Sequence, residues 1–180
     1  PCPIFIDSPL ATRASEIFAR HAGSIRNGDA LVRAMQMKNV RFTETREQSM
    51  AISRIGGFHI IISASGMCEA GRIRHHLRQW LWAPSATVLL VGYQAPGTLG
   101  RLLGTGAKRV RIEGEEVAVN ARIRELLGYS GHADQKGLAA WVKERMPVRR
   151  QTFLIHGEEP ARQGLADRLG TRTLPPESIR

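Results

Sequence analysis

Three short apolar runs constrain this chain most: "PIFID", "FHIIISASGM" and "ATVLLVGYQ". Each is rich in β-favouring residues and stops at a turn built from Ser, Gly or Pro. Segments with helical spacing lie between them. After "PIFID", Ser8 can cap a helix and Pro9 fits its first turn. "LATRASEIFARHAG" then sets Leu10, Ala14, Ile17 and Phe18 on one side, and Gly23 ends it. "VRFTE" predicts another strand and "TREQSMAISRIGG" a helix capped by Thr45. "EAGRIRHHLRQWLW" predicts a helix stopped by Pro84, and "GTLGRLLGTG" a short one. The two longer apolar runs lack polar alternation, so they read as strands buried on both faces, as in parallel sheets. The alternation predicts an α/β fold, an open and mostly parallel sheet with flanking helices. The turns after the three strands should then share one edge of one sheet, where such sheets place ligands.

The alternation stops near Gly106. "KRVRIEGEEVAVNARIRELLGY" predicts strands in a meander, with a turn at "EGEE". A helix "ADQKGLAAWVKERM" follows, capped by Asp134 and stopped by Pro147, then a strand "RQTFLIH" and a helix "EEPARQGLADRLG". The change of character divides the chain into residues 1–106 and 107–180.

Charge narrows the class of partner without fixing it. The chain carries a net charge of +10 over 180 residues, with 42% hydrophobic residues for a core. Such a balance suits a polyanion (RNA, DNA or an anionic membrane surface), and it equally suits an Arg-rich solvated surface. No apolar run approaches the ~20 residues that span a bilayer. Cys2 and Cys68 are the only cysteines. They exclude a disulfide framework and a four-cysteine zinc site, and they fit a reducing cytoplasm.

Two histidines stand on tight turns, His132 in "GYSGHADQ" and His156 in "FLIHGE". An imidazole there can ligate zinc or hand a proton to a leaving oxygen, or it can simply close the turn; spacing alone selects none of these. Ser8, Ser65, Gly66 and Ser130 occupy strand-end turns, where hydroxyls and close backbone approach suit phosphate. Capping and turn formation are the ordinary roles of such serines. Tyr93 and Tyr129 are suited to stacking on bases or to packing. His75 and His76, among Arg72, Arg74 and Arg78, suit RNA contact but read first as a solvated basic helix face; His21 and His59 read as structural.

In combination the motifs say more. "FIDSPLA", "IIISASGMCEAGRIRHHL", "VGYQAPGTLGRLL", "GYSGHADQ" and "FLIHGE", in this order, resemble the metallo-β-lactamase-fold nucleases of the β-CASP group, above all the prokaryotic RNA-processing members. The resemblance covers almost the whole chain and is weakest over residues 23–44. It implies that residues 1–106 are most of an inserted β-CASP domain and 107–180 the returning C-terminal part of a lactamase-like domain. It implies that His132 lies beside the scissile phosphate as an acid or phosphate contact, and that His156 ligates one of two zinc ions. Members specialised for DNA typically carry valine at the latter position, so His156 favours RNA. The family's main zinc motif, His-x-His-x-Asp-His, is absent, and the chain opens on Pro1. The expectation is the C-terminal portion of a zinc-dependent ribonuclease that hydrolyses RNA phosphodiesters. Without its N-terminal half it should be inactive, with an uncovered apolar face that invites a homodimer. A DNA nuclease of the same group and a non-catalytic RNA-binding relative are the alternatives. An unrelated phosphate-binding α/β module must treat "SGHAD" and "HGE" as coincidence.

Overall fold

The computed structural model describes residues 2–129, 131–147 and 152–170. They belong to two compact units, Pro1–Tyr129 and Ser130–Arg180.

The first unit opens with strand β1 (Ile4–Asp7) and helix α1 (Pro9–Arg20). Ser8 Oγ accepts the Ala11 N–H at 3.3 Å, and Pro9 takes the first helical position, where it loses no hydrogen bond. The side that spacing assigns to the core faces outward instead: Leu10, Ile17 and Phe18 are 76%, 51% and 52% exposed. Thr12 is buried, and Ala11, Ser15 and Ala19 are half-buried. Small side chains therefore seat α1, and its bulky stripe is left open.

A 3₁₀ turn (Ala22–Ser24) and helix α2 (Gly28–Met35) fill a stretch with no expected element. Strand β2 (Val40–Phe42) leads to helix α3 (Arg46–Ala51). Thr45 and Gln48 cap α3 reciprocally, each side chain accepting a backbone N–H of the other. Strand β3 (Ile60–Ser63) completes a parallel sheet of order β2-β1-β3, with Ile6 opposite both Phe42 and Ile62. The chain leaves β1 toward β2 and returns past it to β3. The direction of connection reverses at β1, which makes the carboxyl ends of β1 and β3 a topological switch point.

Helix α4 (Ile73–Trp80), strand β4 (Thr87–Val91), helix α5 (Leu99–Gly104) and strands β5 (Arg109–Ile112), β6 (Glu115–Ala118) and β7 (Arg122–Leu126) follow. β5 and β6 form an antiparallel hairpin. Its turn is the expected one, with Glu113 and Gly114 both at positive φ (52° and 88°), as a tight hairpin requires. The meander then fails. The Asn120 and Ala121 N–H groups both donate to Leu81 O at 2.8 Å, and Arg122 N donates to Ala86 O at 3.0 Å. These bonds steer the chain away from β6, so that β7 pairs parallel with β4, Val88 opposite Ile123.

β4 is not hydrogen-bonded into the β2-β1-β3 sheet, which overturns the expectation of one sheet for all three apolar runs. The α/β class, with parallel strands and flanking helices, holds. Leu77, Leu81, Leu90, Leu103, Val110 and Ile112 make the main core between α4, β4, α5 and the hairpin. Neither long apolar run is buried on both faces: Ile60 and Ile62 are 40% and 52% exposed, and Leu89 and Val91 are 53% and 50% exposed.

The second unit contains helices α6 (Gln135–Lys143) and α7 (Glu159–Leu169), which pack on each other with Ala139 and Ala166 buried. Asp134 caps α6, accepting the Gly137 N–H at 2.7 Å, and Gly170 ends α7 at φ 65°. Residues 152–155 form no strand, against expectation. They find no neighbouring strand among the described residues, and Phe153 and Ile155 stay exposed. No helix of the described residues is long and apolar enough to cross a membrane.

Candidate functional site

The carboxyl ends of β1, β2 and β3 meet at Asp7, which is fully buried. Four side chains converge on its carboxylate. Ser49 Oγ and His76 Nε2 each reach Oδ2 at 2.5 Å, Arg72 reaches Oδ1 at 2.7 Å, and the Thr43 hydroxyl also donates to Oδ1. Burial pushes this carboxyl up. The hydrogen bonds from Ser49, Thr43, His76 and Arg72 outweigh it and bring it down to about 2. A carboxylate acceptor requires the proton on His76 Nε2, so His76 donates, and its buried Nδ1 has no hydrogen-bond partner among the described residues. Arg72 is committed as well, donating to Thr43 O at 3.0 Å and Glu44 O at 2.6 Å. With its acceptor positions filled, Asp7 has no capacity left for a metal or a substrate proton. The cluster is an anchor that ties three strand ends to α3 and α4.

The expected solvated basic face of α4 is thus corrected. His76 is only 4% exposed. Arg74 donates to Glu69 O at 3.1 Å, and Arg78 pairs with Glu113 and Glu115 on the hairpin. Burial, and then His76 beside it, lowers the His75 pKa. The sequence held one signal of this anchor: Arg72 and His76 lie four apart, on one side of the helix and its entry, while an aspartate closes an apolar strand.

The turn 64–71 joins β3 to α4 at the same edge. It is closed by Ser65 N to Ala70 O at 3.0 Å and Ala70 N to Ser65 Oγ at 3.2 Å. Gly71 has φ +81°, and a Cβ there would meet Ala64 O at 2.4 Å, so only glycine fits. Gly66 is exposed, with no atom within 4 Å of where its Cβ would stand. Three groups of the neighbouring segment grip the turn. Gln94 Nε2 donates to Gly66 O at 3.0 Å, Gly100 N donates to Met67 O at 3.0 Å, and Leu99 N donates to the Glu69 carboxylate. The turns after β3 and β4 are therefore neighbours although the strands are not hydrogen-bonded to each other.

Of the residues singled out from the sequence, Ser8 is buried with its hydroxyl in the α1 cap, and Ser65 closes its own turn. Ser130 lies outside the described residues. Tyr93 and Tyr129 are exposed. His132 and His156 are exposed in the second unit, His132 just before α6 and His156 in the turn before α7. Gly157, at φ +106°, makes that second turn, and its carbonyl accepts from Arg162 at 2.8 Å. Among the described residues no group of three His, Cys, Asp or Glu side chains is placed to hold a metal ion. His156 is therefore at most one donor, and a zinc pair does not fit the described residues alone.

Comparison with known proteins adds two family matches. The Beta-Casp domain matches residues 1–103, and the Zn-dependent metallo-hydrolase RNA specificity domain matches residues 116–175. Ribonuclease TTHA0252 of Thermus thermophilus is 36% identical over 178 residues, which is 94% of this chain and 40% of that protein. The transcription termination factor FttA of Methanosarcina mazei is 33% identical over 112 residues, 59% of this chain and 18% of that protein. FttA of Pyrococcus abyssi is 35% identical over 104 residues, 55% of this chain and 16% of that protein.

Proposed function

This chain belongs to the Beta-Casp family, and we propose on that premise that it is the C-terminal portion of a zinc-dependent ribonuclease that hydrolyses RNA phosphodiesters. The observation that carries the reading is the 36% identity to a ribonuclease across 94% of the chain. The match of residues 116–175 to an RNA specificity domain supports RNA over DNA. In this reading residues 1–106 are β-CASP domain and 107–180 return to the lactamase-like domain. The two free thiols fit a reducing cytoplasm.

His156 is proposed as one zinc ligand, the remaining donors lying in sequence upstream of this chain. Bound zinc would supply a hydroxide at neutral pH and hold the phosphate. His132 is proposed to hand a proton to the departing oxygen; it stands just before α6 and is exposed. Ser65 and Gly66, on the open side of their turn, are proposed phosphate contacts, together with Ser130; Ser8 joins them only if its hydroxyl leaves the helix cap.

The test uses the longer protein that carries the other donors. His156→Ala should lower zinc content and activity together. His132→Ala should keep its zinc yet slow cleavage by roughly 10²–10⁴-fold, as loss of one general acid does. A phosphodiester with a good leaving group should partly rescue His132→Ala, since such a group needs less protonation, and should not rescue His156→Ala. If His132→Ala loses zinc while His156→Ala keeps it, the two roles are reversed. If neither variant changes rate or zinc, the reading fails.

A further inference from the structure

Gln94 has a setting that the anchor and the histidines do not explain. It follows β4, is 5% exposed, and carries a side-chain amide buried between two turns. Its Nε2 donates to Gly66 O at 3.0 Å and to Gly92 O at 3.2 Å. Its Oε1 is buried with no hydrogen-bond partner among the described residues. A buried amide oxygen without a donor is costly, so the amide is held there for what its NH₂ does. The slot is shaped by Gly100, on which a Cβ would stand 1.7 Å from Gln94 Oε1 and 3.1 Å from Met67 O. No other residue at position 100 leaves the amide where it is. Of the two residues whose carbonyls Gln94 ties, Gly66 is exposed and Gly92 half-buried. Water can therefore replace the amide as their partner, and the bond to Gly66 is a constraint on geometry more than a support of the fold.

We propose that Gln94 is a positioning residue for RNA. Its buried amide, admitted by Gly100, fixes the carbonyl of Gly66 and so presents the open side of the turn 64–71 to the RNA backbone. The inference rests on the reading of this edge as an RNA-contact surface and adds the residue that sets its geometry. Gln94 acts through the turn and need not touch RNA. A loose turn must be ordered when RNA binds, and that ordering cost weakens affinity.

The test titrates this chain with a short single-stranded oligouridylate at two salt concentrations, beside thermal unfolding and amide hydrogen exchange. Wild type should bind at low salt and weaken as salt rises. Gln94→Met keeps the length and removes the donor. It should bind about tenfold more weakly, the size expected for one lost hydrogen bond that orders a contact surface. Its salt slope should be unchanged, because no phosphate-pairing cation is lost, and its Tm should stay near wild type. Exchange should speed up at Ser65, Cys68 and Ala70, whose N–H groups close the turn. Gly100→Ala, which forces the amide from its slot, should reproduce this loss. Wild-type affinity and exchange in Gln94→Met would overturn the proposal. So would a loss of affinity that tracks a fall in Tm, which marks a role in stability alone. If wild type itself fails to bind at low salt, the RNA reading falls, and the exchange rates at Ser65, Cys68 and Ala70 still decide whether Gln94 holds the turn.

Discussion

At the scale of single residues, Asp7 shows how a buried charge is kept. Four hydrogen bonds outweigh burial and lower its pKa from 3.8 to about 2. A depressed carboxyl contributes stability that is present above its unfolded value, near 4, and is lost as pH falls through its folded value, near 2. At neutral pH that contribution is about 2 kcal/mol. Asp7→Asn leaves Arg72 and His76 facing an uncharged partner and should cost about 3 kcal/mol at pH 7. The gap between wild type and variant should narrow as pH drops from about 4 to about 2. Denaturant midpoints at a series of pH values measure it, and a gap that is flat with pH would mean that Asp7 is not ionised in the fold. Around His76 only its four-residue spacing from Arg72 hinted at this, while the arginines suggest a wet surface. Asp7 is 69 positions away, and only the folded chain brings it to within 2.5 Å.

At the scale of elements, local sequence predicted the caps and missed the packing. Ser8, Thr45 and Asp134 each cap the helix that follows as expected, because a short side chain satisfies a free N–H within three residues of itself, and Thr98 caps α5 in the same way without having been expected to. Ser8→Ala should lower stability by about 1 kcal/mol, and Ser8→Thr, which keeps the acceptor, should retain most of it. Guanidinium midpoints for the two variants test this. If Ser8→Ala is neutral, the hydroxyl is available for another role, and RNA titration of that variant becomes the measurement to make. Which face of α1 is buried was not legible. Hydrophobic spacing marks the bulky stripe, and the sheet accepts the small one. The partner of β7 was equally hidden, since the backbone bonds from Asn120 and Ala121 to Leu81 redirect it.

At the scale of the whole molecule, the open faces matter most. Parallel strands normally have both faces covered, and here Ile60, Ile62, Leu89 and Val91 remain exposed. The described residues do not supply the second layer. We therefore expect concentration-dependent self-association of this chain through these faces. Sedimentation velocity over a range of concentrations should show it, and Ile62→Glu with Leu89→Glu should return the chain to monomer. A chain that is monomeric at every concentration would rule this out.

The alternation of apolar runs with capped helical segments determined the α/β class, the hairpin turn and most element positions. These depend on interactions within a few residues, which a sequence carries directly. The ordered motifs around His132 and His156 determined the family, because a series of side chains and glycines at set intervals is itself a sequence property. Tertiary structure alone decided that His76 is a buried donor to Asp7, that β4 pairs with β7, and that Gln94 reaches across to Gly66. Each of these joins positions far apart in the chain. Such contacts form where chain direction, backbone hydrogen bonding and packing volume are satisfied together, and no local stretch of sequence contains all three.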